Sequence, residues 1–348
     1  MKLKGVSYDV GRVMGGNWRP EFDMTVVHRE LAIIKNDLHC NAVRICGLSI
    51  PRLVAVTEDA LQLGLEVWLS PEMWDRSPKA TLNYIAKAAA AVEPVRQRWP
   101  DKIVFMVGSE LTLFMQGIVS GRNVLQRMRN PKNVALMRSG GHNKPLNAFL
   151  KDATTAVRKV YQGKLSYASI IWEEVDWSLF DYVGVDHYRA ARIKDRYVEL
   201  LKPAFTHDRP VIITEFGYRS YKGADTSMAD MAGDIVDPWS VLLHRIPIVG
   251  LFIRPRIDGD YARDEEMQAR ELVDQLDVLD RAGVAGTFIM TFVSPTSPFD
   301  PDPRYDLDMA SYSLVKSFAK GKHGTTYPDM TWEPKKSFKA VADYYGSH

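Results

Sequence analysis

The sequence predicts a single (β/α)8 barrel, a TIM barrel, and two observations support this prediction. Eight short apolar runs typical of strands alternate with segments of helical periodicity. Such alternation implies parallel strands, because each connecting helix packs back onto the sheet. The strand runs are almost continuously apolar, as expected when both faces of a sheet are covered. An open, doubly wound sheet is the alternative, and residues 1–348 are expected to form one domain.

The first half of the chain supplies four strands and three helices. The first helix shows one apolar stripe, with Val27, Leu31, Ile34 and Leu38 at spacings of four, three and four residues. The second begins at Pro51, a favoured first-turn residue. The predicted strands are 4–10, 42–46, 66–69 and 103–107, and the predicted helices are 24–38, 51–63 and 80–99.

The second half repeats the pattern, with two long insertions. The predicted strands are 165–172, 182–185, 211–214 and 286–293, and the predicted helices are 146–161, 193–201, 263–282 and 335–345. Between strands five and six the helix is expected to be reduced to a turn. The insertions follow strands four and seven, at 111–145 and 219–261.

Composition excludes several classes of protein. The net charge of +2 is too low for a general nucleic-acid binder, and no apolar run is long enough to span a membrane. Cys40 and Cys46 form neither a disulfide framework nor a metal motif, and no nucleotide-binding glycine motif is present, so no metal and no cofactor are expected. A cytoplasmic location is expected because no signal peptide is visible, although secretion is possible if one has been removed. The oligomeric state stays open.

Polar side chains follow nearly every predicted strand. In a parallel barrel the functional side chains collect at this C-terminal rim. Carboxylates, aromatic rings and an arginine together suit a polyhydroxylated ligand. The alternative, that each residue only faces the start of the next helix, explains single residues better than the whole set. The set is Asp9, Arg44, Glu72, Trp74, Glu110, Trp172, Glu173, Glu174, Asp186, His187, Tyr188, Glu215 and Ser294.

Two glutamates stand out in this set. Glu110 ends the run Ile103–Glu110 after strand four, and Glu215 ends the run Val211–Glu215 in strand seven. A carboxyl pair at one rim of a barrel can act as general acid/base and nucleophile.

Three motifs carry a resemblance to a known family. They are Ile213-Thr-Glu-Phe-Gly-Tyr218, Asn41-Ala-Val-Arg-Ile45 and Gly184-Val-Asp-His-Tyr188. On these motifs the chain resembles glycoside hydrolase clan A, and is most similar to the family-113 and family-5 mannanase-like enzymes.

The resemblance implies a retaining glycoside hydrolase that acts on a glycoside or oligosaccharide. Glu110 would be the acid/base and Glu215 the nucleophile, with carboxyl groups about 5–5.5 Å apart. Arg44 and Tyr188 would keep Glu215 ionised. The residues expected to contact the carbohydrate are Asp9, Trp74, Ser109, Trp172, Asp186, His187, Tyr218 and Met290.

Two positions depart from the pattern of the clan. Ser109 stands where the clan usually has Asn, and Met290 where it usually has Trp. The substrate is therefore expected to differ from a common hexopyranoside. Two other readings stay open: a barrel repurposed for transglycosylation or for acid-catalysed cyclisation or isomerisation in a biosynthetic pathway, and a non-catalytic carbohydrate-binding scaffold.

Each insertion suggests two roles. The first contains no acidic residue and could attract an anionic substrate, although a solvated basic lid or an oligomer contact is favoured. Its cations are Arg122, Arg127, Arg129, Lys132, Arg138 and Lys144. The second holds the apolar run Ile246–Ile253, which could wall the pocket or lie at a subunit interface.

Overall fold

Eight parallel strands close into a barrel in the computed structural model, which describes residues 1–14, 16–227 and 234–348. The strands follow chain order, and β1 pairs with β8 from Leu3 beside Gly286 to Val6 beside Ile289. The predicted barrel is confirmed, and the open sheet is excluded. The strands are β1 Leu3–Asp9, β2 Ala42–Gly47, β3 Glu66–Pro71, β4 Ile103–Ser109, β5 Lys164–Ile170, β6 Val183–Asp186, β7 Val211–Phe216 and β8 Gly286–Ile289.

Helices surround the barrel, and several begin at capping side chains. Asp23 accepts a hydrogen bond from the Thr25 amide at the start of α1, and Ser77 accepts one from the Ala80 amide at the start of α3. The helices are α1 Met24–Asn36, α2 Ile50–Gln62, α3 Pro78–Arg98, α4 Leu111–Phe114, α5 Val124–Arg129, α6 Pro131–Arg138, α7 Asn143–Arg158, α8 Pro238–His244, α9 Glu265–Arg281 and α10 Lys336–Ser347.

The predicted helix over 193–201 is wrong. Two 3₁₀ segments, Ala191–Arg196 and Glu199–Thr206, stand in its place. Pro203 lies inside the second segment and cannot donate the backbone hydrogen bond that an α-helix would need there. Between β5 and β6 a single 3₁₀ turn, Trp177–Leu179, matches the reduced helix that the sequence predicts.

Side chains alternate between the inside and the outside of the barrel, and this alternation positions the site. Ala42, Trp68, Val104 and Phe288 belong to one buried cluster, in which the Trp68 and Phe288 rings lie 5.3 Å apart. Arg44 follows Ala42 by two residues and therefore points to the same side, towards the rim.

The two insertions differ in structure. Residues 111–138 form the three short helices α4 to α6, and α7 begins at Asn143, so the first insertion ends slightly earlier than predicted. The second insertion contains α8 and a 3₁₀ turn at Val249–Leu251, while 228–233 lie outside the described residues. Ile248, Leu251 and Phe252 are 76–84% exposed, so these side chains do not wall the pocket.

The C-terminal segment packs on the outside of the barrel, against α1. β9 Val315–Ser317 and β10 Trp332–Pro334 form a two-stranded antiparallel sheet. Trp332 is buried, and its indole N–H donates to Glu30 in α1 at 2.8 Å. Among the described helices, none has both the length and the hydrophobicity that a membrane span requires.

Candidate active site

Glu215 lies at the centre of a buried cluster at the C-terminal rim. Its Oε1 accepts hydrogen bonds from Arg44 Nη1 at 2.7 Å and from Arg12 Nη1 at 3.4 Å. Its Oε2 accepts one from the Tyr188 hydroxyl at 2.9 Å. Burial alone would raise the pKa of Glu215, but the two cations and the Tyr188 hydrogen bond outweigh it, so the pKa lies below its usual value. Glu215 is therefore ionised.

Glu110 sits in the opposite electrostatic environment. Burial raises the pKa of Glu110 well above its usual value, and the charges of Asp186, Glu215 and Glu173 raise it further. Among the described residues, none donates a hydrogen bond to its carboxyl group that would favour the charged form. Glu110 is therefore protonated where Glu215 is ionised, which is the division of roles that an acid and a nucleophile require.

The turn after β4 holds Glu110 in an uncommon backbone conformation. Its φ is 48°, in the left-handed region that non-glycine residues adopt rarely. Two hydrogen bonds fix the turn: the Leu111 amide donates to the Tyr167 hydroxyl at 2.8 Å, and the Thr112 amide donates to Glu173 Oε1 at 3.2 Å. Tyr167 in turn donates to Glu173 Oε2 at 3.0 Å. Glu173 thus organises the segment that carries Glu110.

Asp186 and Ser109, two predicted site residues, are hydrogen-bonded to each other. The Ser109 hydroxyl donates to Asp186 Oδ2 at 3.2 Å, and the Thr214 hydroxyl donates to Oδ1 at 2.6 Å. Burial and the charge of Glu215 raise the pKa of Asp186 to about 8. Asp186 lies 3.8 Å from Arg44, so it belongs to the same cluster.

Glu72, at the end of β3, joins the two arginines. It accepts hydrogen bonds from Arg44 Nη2 at 3.3 Å and from the Ser70 hydroxyl at 3.0 Å on Oε1, and from Arg12 Nη1 at 3.5 Å on Oε2. Burial raises the pKa of Glu72 above its usual value, although Arg12 and Arg44 oppose this effect.

Arg12 is the main residue that sequence reasoning missed. It is buried in the loop after β1, and its Nε donates to Asp9 Oδ2 at 2.6 Å. Its Nη2 lies 3.5 Å from Met290 Sδ. Asp9 and Met290, both predicted site residues, are thereby connected to Glu215 through Arg12. The one sequence signal that could have identified Arg12 is its position, three residues beyond the end of β1.

An aromatic cluster adjoins Arg12. Trp74 stacks on Phe114 with ring centroids 4.6 Å apart and meets the edge of Trp18 at 5.3 Å. The Arg12 guanidinium lies 4.8 Å from the Trp18 ring. Trp18, in the same loop as Arg12, was also missed by sequence reasoning.

Three predicted site residues are not brought into the carboxyl cluster. The His187 ring stacks on Tyr197 at 3.9 Å, its Nε2 bonds the Tyr197 carbonyl, and burial lowers its pKa to about 4. The Tyr218 hydroxyl donates to the Arg189 carbonyl at 3.0 Å. Trp172 packs against His142 at 5.1 Å. Their polar atoms or rings contact the surrounding elements rather than the two glutamates.

Nothing in the described part of the chain resembles a metal centre: no three His, Cys, Asp or Glu side chains are grouped to hold an ion. Cys40 and Cys46 are buried free thiols, and burial raises the pKa of both.

Several solved structures that superpose on the whole barrel are glycoside hydrolases. A complex of a GH113 β-1,4-mannanase superposes with a TM-score of 0.60 at 14% identity, over 100% of both chains. The fold is that of the clan A glycosidases. The GH113 β-mannanase AaManA from Alicyclobacillus acidocaldarius gives 0.57 at 14% identity, over 99% of this chain and 97% of that one.

A similar barrel forms part of a much larger protein. A β-glucuronidase from Bacteroides uniformis gives a TM-score of 0.55 at 14% identity, over 91% of this chain but 33% of that chain. The sequence itself matches no protein-family model and none of the curated proteins. The likeness to clan A glycosidases is therefore one of fold.

Proposed function

We propose that the protein is a retaining glycoside hydrolase that acts on a glycoside or oligosaccharide, with Glu110 as acid/base and Glu215 as nucleophile. The observation that carries this proposal is the opposite shift of two pKa values at one rim, lowered for Glu215 and raised for Glu110. The glycoside hydrolases with the same fold support it.

In the first step the Glu215 carboxylate attacks the anomeric carbon. The bond from this carbon to the leaving oxygen breaks, and Glu110 transfers its proton to that oxygen. The product is a glycosyl ester of Glu215. Arg44 and Tyr188 orient the carboxylate for this attack, since they bond its two different oxygens.

In the second step Glu110 acts as a base. Forming the ester removes the charge of Glu215, which is one of the charges that raise the pKa of Glu110. The Glu110 carboxylate accepts a proton from water, the water oxygen attacks the anomeric carbon, and Glu215 leaves as a carboxylate. Arg44 and Arg12 stabilise the negative charge that returns to Glu215.

The proposal competes with the two other readings of the sequence. A non-catalytic scaffold would bind a carbohydrate without turning it over, so binding by the parent in the absence of any product would favour it. Transglycosylation has the same first step, but in the second step a sugar hydroxyl attacks the anomeric carbon in place of water. The presence of a new glycoside among the products therefore distinguishes it from hydrolysis. Analysis of the products would also detect a cyclised or isomerised compound.

A panel of aryl glycosides, followed by NMR of the first-formed sugar, tests the proposal. We expect hydrolysis with retention of the anomeric configuration. Glu215→Ala should abolish turnover, and azide should restore it by forming a glycosyl azide of inverted configuration. Glu110→Ala should lose about 10²–10⁴-fold with poor leaving groups. Glu58→Ala, at a partly exposed glutamate of α2 that pairs with Arg98, is the control. Turnover that survives Glu215→Ala would exclude this mechanism.

A further inference from the structure

The second insertion exposes a group of large apolar side chains that the proposed reaction does not use. Trp239 and Leu242 lie on α8, while Ile248, Leu251 and Phe252 lie on or beside the 3₁₀ turn that follows. All five are more than half exposed. Single apolar residues are ordinary on a protein surface, but a contiguous group marks a binding surface. We call residues 239–253 the apolar tip.

The backbone of the apolar tip is well ordered. The Gly250 amide donates to the Ile246 carbonyl at 2.7 Å, and the Ile253 amide donates to the Val249 carbonyl at 3.0 Å. His244 Nδ1 bonds the Ile253 carbonyl at 2.7 Å. A Cβ atom at Gly250 would lie 2.0 Å from the His244 carbonyl oxygen, so only glycine lets the turn pack on the end of α8. A fixed turn therefore presents the exposed side chains.

The apolar tip also carries positive charge. Residues 238–257 contain three arginines and no acidic residue. Arg254 and Arg256 pair with Asp300 and Asp237, which lie outside this stretch. Arg245 is exposed and has no ion-pair partner among the described residues. Arg245 thus offers a cation beside the apolar side chains.

The first insertion adds cations at the same end of the barrel. The two insertions follow β4 and β7, so both lie at the C-terminal end, which carries Glu215. Residues 111–145 include no acidic residue, and Leu125 is half exposed among the basic ones. Five cations of this insertion are exposed and form no ion pair within the described part of the chain: Arg122, Arg129, Lys132, Arg138 and Lys144. These charges are available to an anionic partner.

An anionic lipid bilayer matches both insertions. Aromatic and aliphatic side chains enter the boundary between head groups and acyl chains, and Lys and Arg attract anionic head groups. A second copy of the chain would cover the apolar tip, but a head-to-head pair would bring two sets of unbalanced cations together. A nucleic acid would contact the cations and leave Ile248, Leu251 and Phe252 in water.

We propose that the end of the barrel that carries Glu215 binds to an anionic lipid bilayer, with the apolar tip in the interface and the cations of the first insertion against the head groups. Surface binding of this kind needs no membrane-spanning helix. The inference goes beyond the proposed function and does not depend on it, because vesicle binding is measured without turnover.

Co-sedimentation with lipid vesicles tests the proposal. The vesicles are phosphatidylcholine alone and phosphatidylcholine with phosphatidylserine in a three-to-one ratio. We expect the parent to bind the phosphatidylserine vesicles about tenfold or more tightly than phosphatidylcholine alone, and to lose this preference as salt screens the charges. No binding to the phosphatidylserine vesicles would overturn the proposal.

Removing apolar side chains from the tip should weaken binding. Leu251→Ser combined with Phe252→Ser should lower the affinity for phosphatidylserine vesicles about tenfold or more, because less apolar area leaves water. Val160→Ser combined with Phe205→Ser is the matched control, at exposed apolar residues that precede β5 and β7 at the opposite end of the barrel. Equal affinities of the parent and the Leu251/Phe252 variant would contradict the role of the tip.

Removing cations from the first insertion should also weaken binding. Lys132→Gln combined with Arg138→Gln should lower the affinity for phosphatidylserine vesicles on the order of tenfold. Lys2→Gln combined with Lys159→Gln removes two exposed cations that precede β1 and β5, at the opposite end, and should have little effect. Equal losses in the two variants would show unspecific attraction and refute the proposed orientation.

A dye at the tip reports insertion directly. Leu251→Cys labelled with the environment-sensitive dye NBD should brighten and shift to shorter wavelength on phosphatidylserine vesicles, while labelled Phe205→Cys should not. Cys40 and Cys46 are buried, so the label goes to the new thiol. An unchanged Leu251→Cys signal on vesicle-bound protein would exclude insertion of the tip.

Sedimentation velocity without lipid examines the competing partner, a second copy of the chain. We expect the parent and the Leu251→Ser/Phe252→Ser variant to sediment alike. A dimer of the parent that this variant dissociates, together with no vesicle binding, would assign the apolar tip to a subunit interface and overturn the proposal.

Discussion

Glu215 is held ionised by two arginines, and each should contribute to the pH dependence of turnover. Arg12→Met removes one cation, so the pKa of Glu215 should rise. Since turnover requires ionised Glu215, the acidic limb of kcat/KM against pH should move to higher pH. A pH profile of the variant and the parent checks this expectation.

Arg127→Met is the matched control for Arg12→Met. Arg127 is a buried arginine paired with Asp75 and has no contact with Glu215. It should change stability without moving the acidic limb. An unmoved limb in Arg12→Met would show that Arg12 has only a structural role.

Glu173 should control the other limb. Burial raises the pKa of Glu173 to about 7, so its negative charge is present in the alkaline range, where it raises the pKa of Glu110. Glu173→Gln removes this charge, so Glu110 should lose its proton at lower pH. The basic limb of kcat/KM should therefore move to lower pH, while Glu174→Gln, at the exposed neighbour, should leave it in place.

The sequence predicted the cluster around Glu215 only in part. Arg44, Tyr188 and Glu215 lie on regular strands or directly after them, so their positions follow from strand counting and short motifs. Arg12 and Trp18 lie in an irregular loop, where no periodicity indicates direction. The direction of His187 could not be predicted, because a residue after a strand can point either to the rim or to the surrounding helices; its ring packs on Tyr197.

At the scale of elements, a buried ionic network connects the C-terminal segment to the loop that contains Asp308. Lys335 Nζ lies 2.7 Å from Asp308 Oδ2, and Arg263 Nη2 lies 2.9 Å from the same atom. Asp308 follows Leu307, which lines a cavity of about 190 Å³ between the loops after β1 and β8. The network therefore supports one wall of that cavity.

Asp308→Ala should destabilise the fold by about 3–5 kcal/mol, because it leaves buried Lys335 without its carboxylate. Denaturant unfolding measures this loss. Lys335→Met combined with Asp308→Ala should be less destabilising than the sum of the two single changes, since the stranded charge is gone. Additive losses would show that the pair is not coupled.

The helix over 193–201 shows where element prediction fails. The alternation of strands and helices predicted a helix there, but the alternation does not report which backbone hydrogen bonds can form. Pro203 and the short connection to β7 favour two 3₁₀ segments instead. The eight strands were easier to predict, because continuous apolar runs between polar ends leave few alternatives.

At the scale of the whole molecule, the basic first insertion has less free charge than its composition suggests. Arg127 is buried and paired with Asp75, while Arg122, Arg129, Lys132, Arg138 and Lys144 are exposed. For a neutral glycoside, kcat/KM should change little as the Debye length falls from about 30 Å to about 3 Å with added salt. A steep fall with salt would instead support attraction of an anionic substrate.

The central claim is that Glu215 forms a covalent bond to the sugar. Incubation with a panel of 2-deoxy-2-fluoroglycosyl fluorides, followed by peptide mass spectrometry, tests it most directly. The account predicts one label per chain, on Glu215, and none in Glu215→Gln. A label on Glu110, Glu72 or another carboxylate, or no label from any member of a panel that the protein binds, would contradict it.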